Sequence, residues 1–143
     1  MALHGGLLKV QTSGHAEIVD LTAGVRSVVS TSGADRGVAT VFVRGSTAAV
    51  TTMEYEPGGI EDLRATLDRL VPVRPEGSSG DYAHNRLNHD SNAHAHLRAA
   101  LVGPSEAIPV IDGDLTLGTW QQVVLIDFDD RPRERTVLVQ VVW

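Results

Sequence analysis

Four of the chain's six histidines lie in one polar stretch, residues 81–97. They are His84, His89, His94 and His96, and Asn, Asp and Ser fill many of the positions between them. Imidazole is the commonest protein ligand of transition metals and the usual proton shuttle near neutral pH. The stretch has too little apolar content for a core element. It therefore indicates either a metal or acid/base site or a solvated polar loop that leads into a helix.

Helical spacing limits which of these histidines can share a site. A helix is predicted over 92–102, with polar N-cap candidates before it and Gly103 after it. On such a helix His94 and His96 point about 200° apart, too far for one small ion. The sequence therefore favours His84 folding back towards His96, with a third ligand from another segment or subunit. His94 would be a supporting or a surface residue.

Other polar positions have side chains suited to a base or an anion contact. Glu54 ends an apolar strand and is either a general base or metal neighbour, or a solvated residue at a loop mouth. Ser46 and Thr47 follow a glycine between two strands, a pattern that binds phosphate or simply makes a turn. Arg133 and Arg135 are either bidentate phosphate contacts or part of a solvated hairpin tip.

Composition limits the functional class. The 143 residues carry a formal net charge of −6, which argues against a general nucleic-acid binder. Cysteine is absent, so disulfides, thiolate ligands and a cysteine nucleophile are excluded. Neither a signal peptide nor a membrane helix is recognisable, and we expect a cytoplasmic protein without membrane contact.

The elements that must position these residues are predicted as an α+β domain over 1–143, with a largely antiparallel sheet and about three helices. Residues 129–132 are expected to form a hairpin connection, and the last strand is apolar on both faces, which requires a cover of helices, a second sheet or another subunit. Strands are predicted over 7–12, 16–19, 37–44, 48–53, 107–111, 119–128 and 136–142, and helices over 23–32, 60–70 and 92–102.

One long segment closely resembles a known family. Residues 105–123, which include Gly-Thr-Trp-Gln at 118–121, are similar to the signature of the YjbQ-type proteins, also called the secondary thiamine-phosphate synthase family. Tyr82 with His84, the Ala-His-Leu at 95–97, Glu54 before a proline and Asp20 near the front also fit. The resemblance covers nearly the whole chain.

This resemblance implies a compact α+β fold with antiparallel sheet and a homotrimer with sites near subunit interfaces. It also implies a weak ability to make thiamine phosphate from phosphorylated small molecules. A divalent metal such as zinc is expected at a histidine-lined site, where His84 and His96 are the matching positions.

Two positions depart from the family pattern. Gly45 stands where the family has a histidine before two hydroxyl residues, and Met53 stands where it has an asparagine. Because zinc needs three or four protein ligands for firm binding, we expect its affinity to be reduced or lost. Two hypotheses remain: a weak enzyme that uses Glu54, His84 and His96, or a trimer of the same fold with only a binding or structural role.

Overall fold

Two antiparallel sheets and four helices make up the chain in the computed structural model, which describes residues 1–77 and 80–143. The predicted α+β class is confirmed, with one helix more than expected. Among the described residues, no helix is both long and apolar enough to cross a membrane. The strands are β1 (Leu3–Thr12), β2 (Glu17–Asp20), β3 (Arg36–Val43), β4 (Ala48–Met53), β5 (Ser105–Ile111), β6 (Asp114–Leu115), β7 (Gln122–Asp127) and β8 (Arg133–Val142). The helices are α1 (Thr22–Ser32), α2 (Pro57–Leu70), α3 (Ala83–Asn88) and α4 (Ala93–Val102).

The larger sheet has the strand order β1-β8-β3-β5-β6 and the smaller one β2-β7-β4. Strand β7 is the middle strand of the smaller sheet, and its successive side chains point into two different cores. Val123 and Leu125 join α1 and the larger sheet in the first core. Val124 and Ile126 join α2 and α4 in the second. The smaller sheet is therefore covered on both faces, and α4 is fixed against one of them.

Three of the crossings between the sheets lie at residues 13–16, 44–47 and 128–132, which follow β1, β3 and β7. The expected hairpin at 129–132 is therefore wrong, since β7 and β8 belong to different sheets. A buried polar cluster joins the three crossings. Arg135 donates to both carboxylate oxygens of Asp127 at 2.7 Å, and Thr12 donates to Asp127 at 2.5 Å.

Several strand and helix ends differ by a few residues from the sequence prediction, for example β1 and β8, which begin at Leu3 and Arg133 rather than at 7 and 136. Two further differences concern residues 83–88 and 118–121. Strand β7 begins at Gln122 rather than at 119, because residues 118–121 form a turn in which the Gln121 amide donates to the Gly118 carbonyl at 3.0 Å. Trp120 in this turn is 70% exposed. Helix α3 lies in the stretch interpreted as loop. It is six residues long and polar, so it carries little of the apolar periodicity by which helices are recognised.

One face of the larger sheet, here called the outer face, is not covered by any element of residues 1–77 and 80–143. In β8 the inward residues Val137, Val139 and Val141 are buried, whereas Leu138 and its outward neighbours are partly exposed. The described residues cover one face of this strand, and cover of the other face by another subunit stays a prediction. Leu7, Leu138 and Phe42 line a shallow depression of about 420 Å³ on the outer face. Its exposed apolar residues include Leu3, Leu7, Val38, Phe42 and Ile111.

Candidate functional site

Helices α3 and α4 bring His84 and His96 together. Their ring centroids lie 4.6 Å apart, with the planes inclined at 47°. Asn85, which is buried, holds the two helices in this arrangement. Its Oδ1 accepts from the amide of Ala93 at 3.0 Å, and its Nδ2 donates to Asp81 Oδ1 at 2.7 Å. The pairing expected from helical spacing is therefore present in a single chain.

His96 stands between two small cavities. One of about 290 Å³ is lined by both histidines together with Tyr82 and Leu97. The other, of about 300 Å³, lies on the far side of His96 and is lined by Gly45, Ser46 and the apolar residues of α4 and β4. A bound molecule in either cavity would contact the His96 ring.

His84 has a nitrogen available for a ligand or a proton. Its Nε2 is buried and has no hydrogen-bond partner among the described residues. The nearest charged atom recorded for it is Asp90 Oδ2 at 3.9 Å, beyond hydrogen-bonding distance. A buried polar atom without a partner is costly, so it points to a missing ligand, proton acceptor or water.

Gly45 adjoins Arg135 at the edge of the second cavity. A Cβ atom at position 45 would lie 2.8 Å from Arg135 Nη1, and the backbone φ of +129° is unfavourable for residues with a side chain. Arg135 is 7% exposed, and its Nε and Nη2 are occupied by Asp127 and Thr47. Its Nη1 makes no hydrogen bond to any other described residue. This loop and this guanidinium therefore fit each other only when residue 45 is small.

Thr47 and Arg133 are also tied to carboxylates. Thr47 is buried and donates to Asp129 Oδ2 at 2.9 Å, and Arg133 donates to the same oxygen at 3.0 Å. Burial of Asp129 disfavours its charge, but hydrogen bonds from Thr47, the Asp130 amide and Arg133 outweigh it and lower the pKa of Asp129 to about 2. Four residues were expected to contact phosphate: Ser46, Thr47, Arg133 and Arg135. Of these, only Ser46 lines the cavity of about 300 Å³ beside His96.

Glu54 lies at the other end of β4. The strand starts at Ala48, next to the second cavity, and Glu54 follows its last residue. Six residues of extended chain span about 20 Å, so Glu54 and the histidine pair do not meet within one chain. Met53 lies at the same distant end.

The other two histidines of the stretch point elsewhere. His94 is 3% exposed and lines a third cavity that contains neither His84 nor His96, as the angle on α4 predicts. Burial lowers the pKa of His94, and Arg98 adds to this effect. His89 is exposed and ends α3 in the left-handed region, with φ of 53°. Two site residues, Asn85 and Asp90, were not singled out from sequence; a buried asparagine between two helices leaves no pattern.

The residues present do not make a complete metal site in one chain. Two imidazoles face each other, but position 45 offers no donor side chain. In residues 1–77 and 80–143 no group of three His, Asp or Glu side chains is placed to hold an ion. Since firm zinc binding takes three or four protein ligands, His84 and His96 alone do not fit a tightly held resident metal.

A model of the family described as "UPF0047 protein YjbQ-like" matches residues 7–143. The chain belongs to this family. A UPF0047 protein of Methanothermobacter thermautotrophicus is 39% identical over 134 residues, which cover 94% of this chain and 88% of that protein. A UPF0047 protein of Mycobacterium tuberculosis H37Rv is 40% identical over 128 residues, covering 89% and 90% of the two chains.

Solved structures of UPF0047 relatives share the fold. A YjbQ-like protein of Sulfolobus solfataricus, described as being of unknown function, superimposes with a TM-score of 0.85 at 32% identity, covering 98% of both chains. A family member from Clostridium acetobutylicum gives a TM-score of 0.83 at 35% identity, covering 95% of this chain and 98% of the other. The antiparallel α+β architecture is thus that of the UPF0047 family.

Proposed function

We propose that the chain binds a phosphorylated small molecule in the cavities on either side of His96 and transforms it weakly, in the manner of a thiamine-phosphate synthase. The observation that carries this proposal is the His84–His96 pair, with ring centroids 4.6 Å apart and a buried His84 nitrogen that has no partner in the described part of the chain. Two neighbouring imidazoles next to cavities provide a proton donor and a proton acceptor to the same ligand.

The Gly45–Ser46 loop is the proposed phosphate end of the site. Ser46 contributes a hydroxyl beside His96, and the amides of Gly45 and Ser46 donate to no other described residue. Amides and hydroxyls in such a loop favour an anion, and the unpaired Nη1 of Arg135 lies next to it. Thr47 and Arg133 act indirectly, because Asp129 holds both.

A specific observation favours the second candidate, a homologue that binds but does not catalyse. Residue 45 is glycine, and Glu54 is about 20 Å from the start of β4. A single chain therefore assembles the histidine pair without the expected metal ligand or base. In this case the cavities would still bind the phosphorylated molecule.

Assembly into a homotrimer is part of the proposal. The outer face presents exposed leucine, valine and phenylalanine side chains that no described part of the chain covers. A second and third copy would cover it.

The test separates binding, metal and catalysis. Three quantities are measured on the parent and on His84→Gln and His96→Gln. They are the zinc content of untagged protein dialysed without chelator, the calorimetric binding of inorganic pyrophosphate, and the formation of thiamine phosphate from its phosphorylated precursors. His89→Asn is the matched control, because His89 is exposed in the same stretch and asparagine tolerates its left-handed backbone.

We expect pyrophosphate binding and slow product formation in the parent and in His89→Asn. Both glutamine variants should lose at least about tenfold in product formation, as for removal of an acid or base group. Zinc should be well below one ion per chain. Product formation that is unchanged in both variants would overturn the proposal, and pyrophosphate binding without product would establish the second candidate instead.

A further inference from the structure

A third cavity, here called the acidic cavity, has a volume of about 260 Å³ and shares no lining residue with the two cavities beside His96. It lies between the α3–α4 turn and two of the crossings between the sheets. The charged and titratable residues that line it are His15, Arg74, Asp81, Asp90, His94 and Asp130. Asp90 also adjoins His84, but the proposed function assigns no proton transfer or phosphate contact to any of these residues.

The buried His94 lacks partners in this cavity. The residue is 3% exposed, and its Nδ1 is fully covered without a hydrogen bond from the described part of the chain. Neither ring nitrogen of His94 has a recorded hydrogen bond to the described residues. A neutral imidazole presents one acceptor nitrogen.

The groups that line the cavity are net negative, while the guanidinium of Arg98, outside the lining, acts on His94 from close by. Three carboxylates line it against the single guanidinium of Arg74. Arg131 adds a second, at 3.2 Å from Asp130 and 3.9 Å from Asp90, but is itself more than half exposed. The described His, Asp and Glu side chains are not arranged to hold a metal ion, so an organic cation fits this charge better.

We propose that the acidic cavity is a second binding site, which takes a small organic ammonium ion. Its N–H groups would donate to the neutral imidazole of His94 and to the carboxylates of Asp90 and Asp130. Asp90 Oδ2 is also 3.9 Å from His84 Nε2, so an occupied cavity would alter the surroundings of the histidine pair. The site does not depend on the proposed function.

The test compares n-butylammonium with butan-1-ol, a neutral molecule of the same length, by calorimetric titration at fixed ionic strength. The ring nitrogens of ¹⁵N-labelled histidine are followed by NMR, with His94 assigned from a His94→Gln spectrum. Asp90→Asn, Asp130→Asn and the double variant remove the carboxylates. Asp62→Asn, on the exposed side of α2, removes one charge elsewhere as a control.

We expect butylammonium to bind at least about tenfold more tightly than butanol, since charge-assisted hydrogen bonds are lost in the alcohol. The His94 ring signals should shift, the double variant should lose about tenfold in affinity, and Asp62→Asn should bind as the parent does. Equal binding of butanol, unshifted His94 signals, or an equal loss in Asp62→Asn would overturn the proposal. The NMR result on the parent decides the question even if the double variant fails to fold.

Discussion

Asp129 shows at the scale of a single residue how the crossings between the sheets are stabilised. It is 1% exposed and accepts from Thr47, Arg133 and the Asp130 amide. Breaking a buried ion pair is strongly destabilising, so Asp129→Asn should lower the free energy of unfolding by about 3 kcal/mol, measured by urea denaturation. Glu134→Gln, which removes an exposed ion pair with Lys9, is the control and should cost less than about 1 kcal/mol.

The same carboxylate gives stability a defined pH dependence. The pKa of Asp129 is about 2 in the folded chain, below its ordinary value of 3.8. The unfolded state therefore binds the proton first, and the contribution of Asp129 is complete above 3.8 and lost as the pH falls through about 2. The difference in unfolding free energy between parent and Asp129→Asn should shrink over this range. A difference that stays constant from pH 5 to about 2 would contradict this account.

At the scale of secondary-structure elements, the histidine site depends on the packing of α3 against α4. Asn85→Ala should cost about 2 kcal/mol, because it removes the acceptor of the buried Ala93 amide and one of the donors to Asp81. Hydrogen exchange should quicken in α3 and at the start of α4. Asn88→Ala is the control, since Asn88 is exposed and, among the described residues, its Nδ2 donates to the His84 carbonyl of its own helix alone. Equal exchange in the two variants would exclude this role for Asn85.

Several strands and helices can be predicted from the spacing of apolar residues in the sequence, and the structure places them where that spacing predicts. Strand β4 is found at its predicted residues, and α4 starts one residue later than predicted. The angle between His94 and His96 on α4 also predicts that they line separate cavities. Periodicity does not specify which sheet a strand joins, so the crossing at 129–132 was mistaken for a hairpin. The burial of Arg135 against Asp127 depends on that crossing and was missed with it.

The outer face is a property of the whole molecule, and it gives the assembly proposal a direct test. Phe42→Glu places a charge at the centre of the outer face, whereas Leu87→Glu places one on α3, where the side chain is 80% exposed. By sedimentation velocity, the parent and Leu87→Glu should be trimers and Phe42→Glu a monomer, since a charge without a partner is costly in an apolar contact. A trimer in all three proteins would exclude the outer face as the contact.

The location of the tryptophans determines what optical spectroscopy can report. The chain has two, and Trp120 is 70% and Trp143 37% exposed, so neither indole lies in a core. Ultraviolet emission of a separate chain should therefore resemble that of indole in water, and thermal unfolding should change circular dichroism far more than fluorescence. Conversely, a blue shift on raising the protein concentration would signal that the surface around an indole has been covered by another chain.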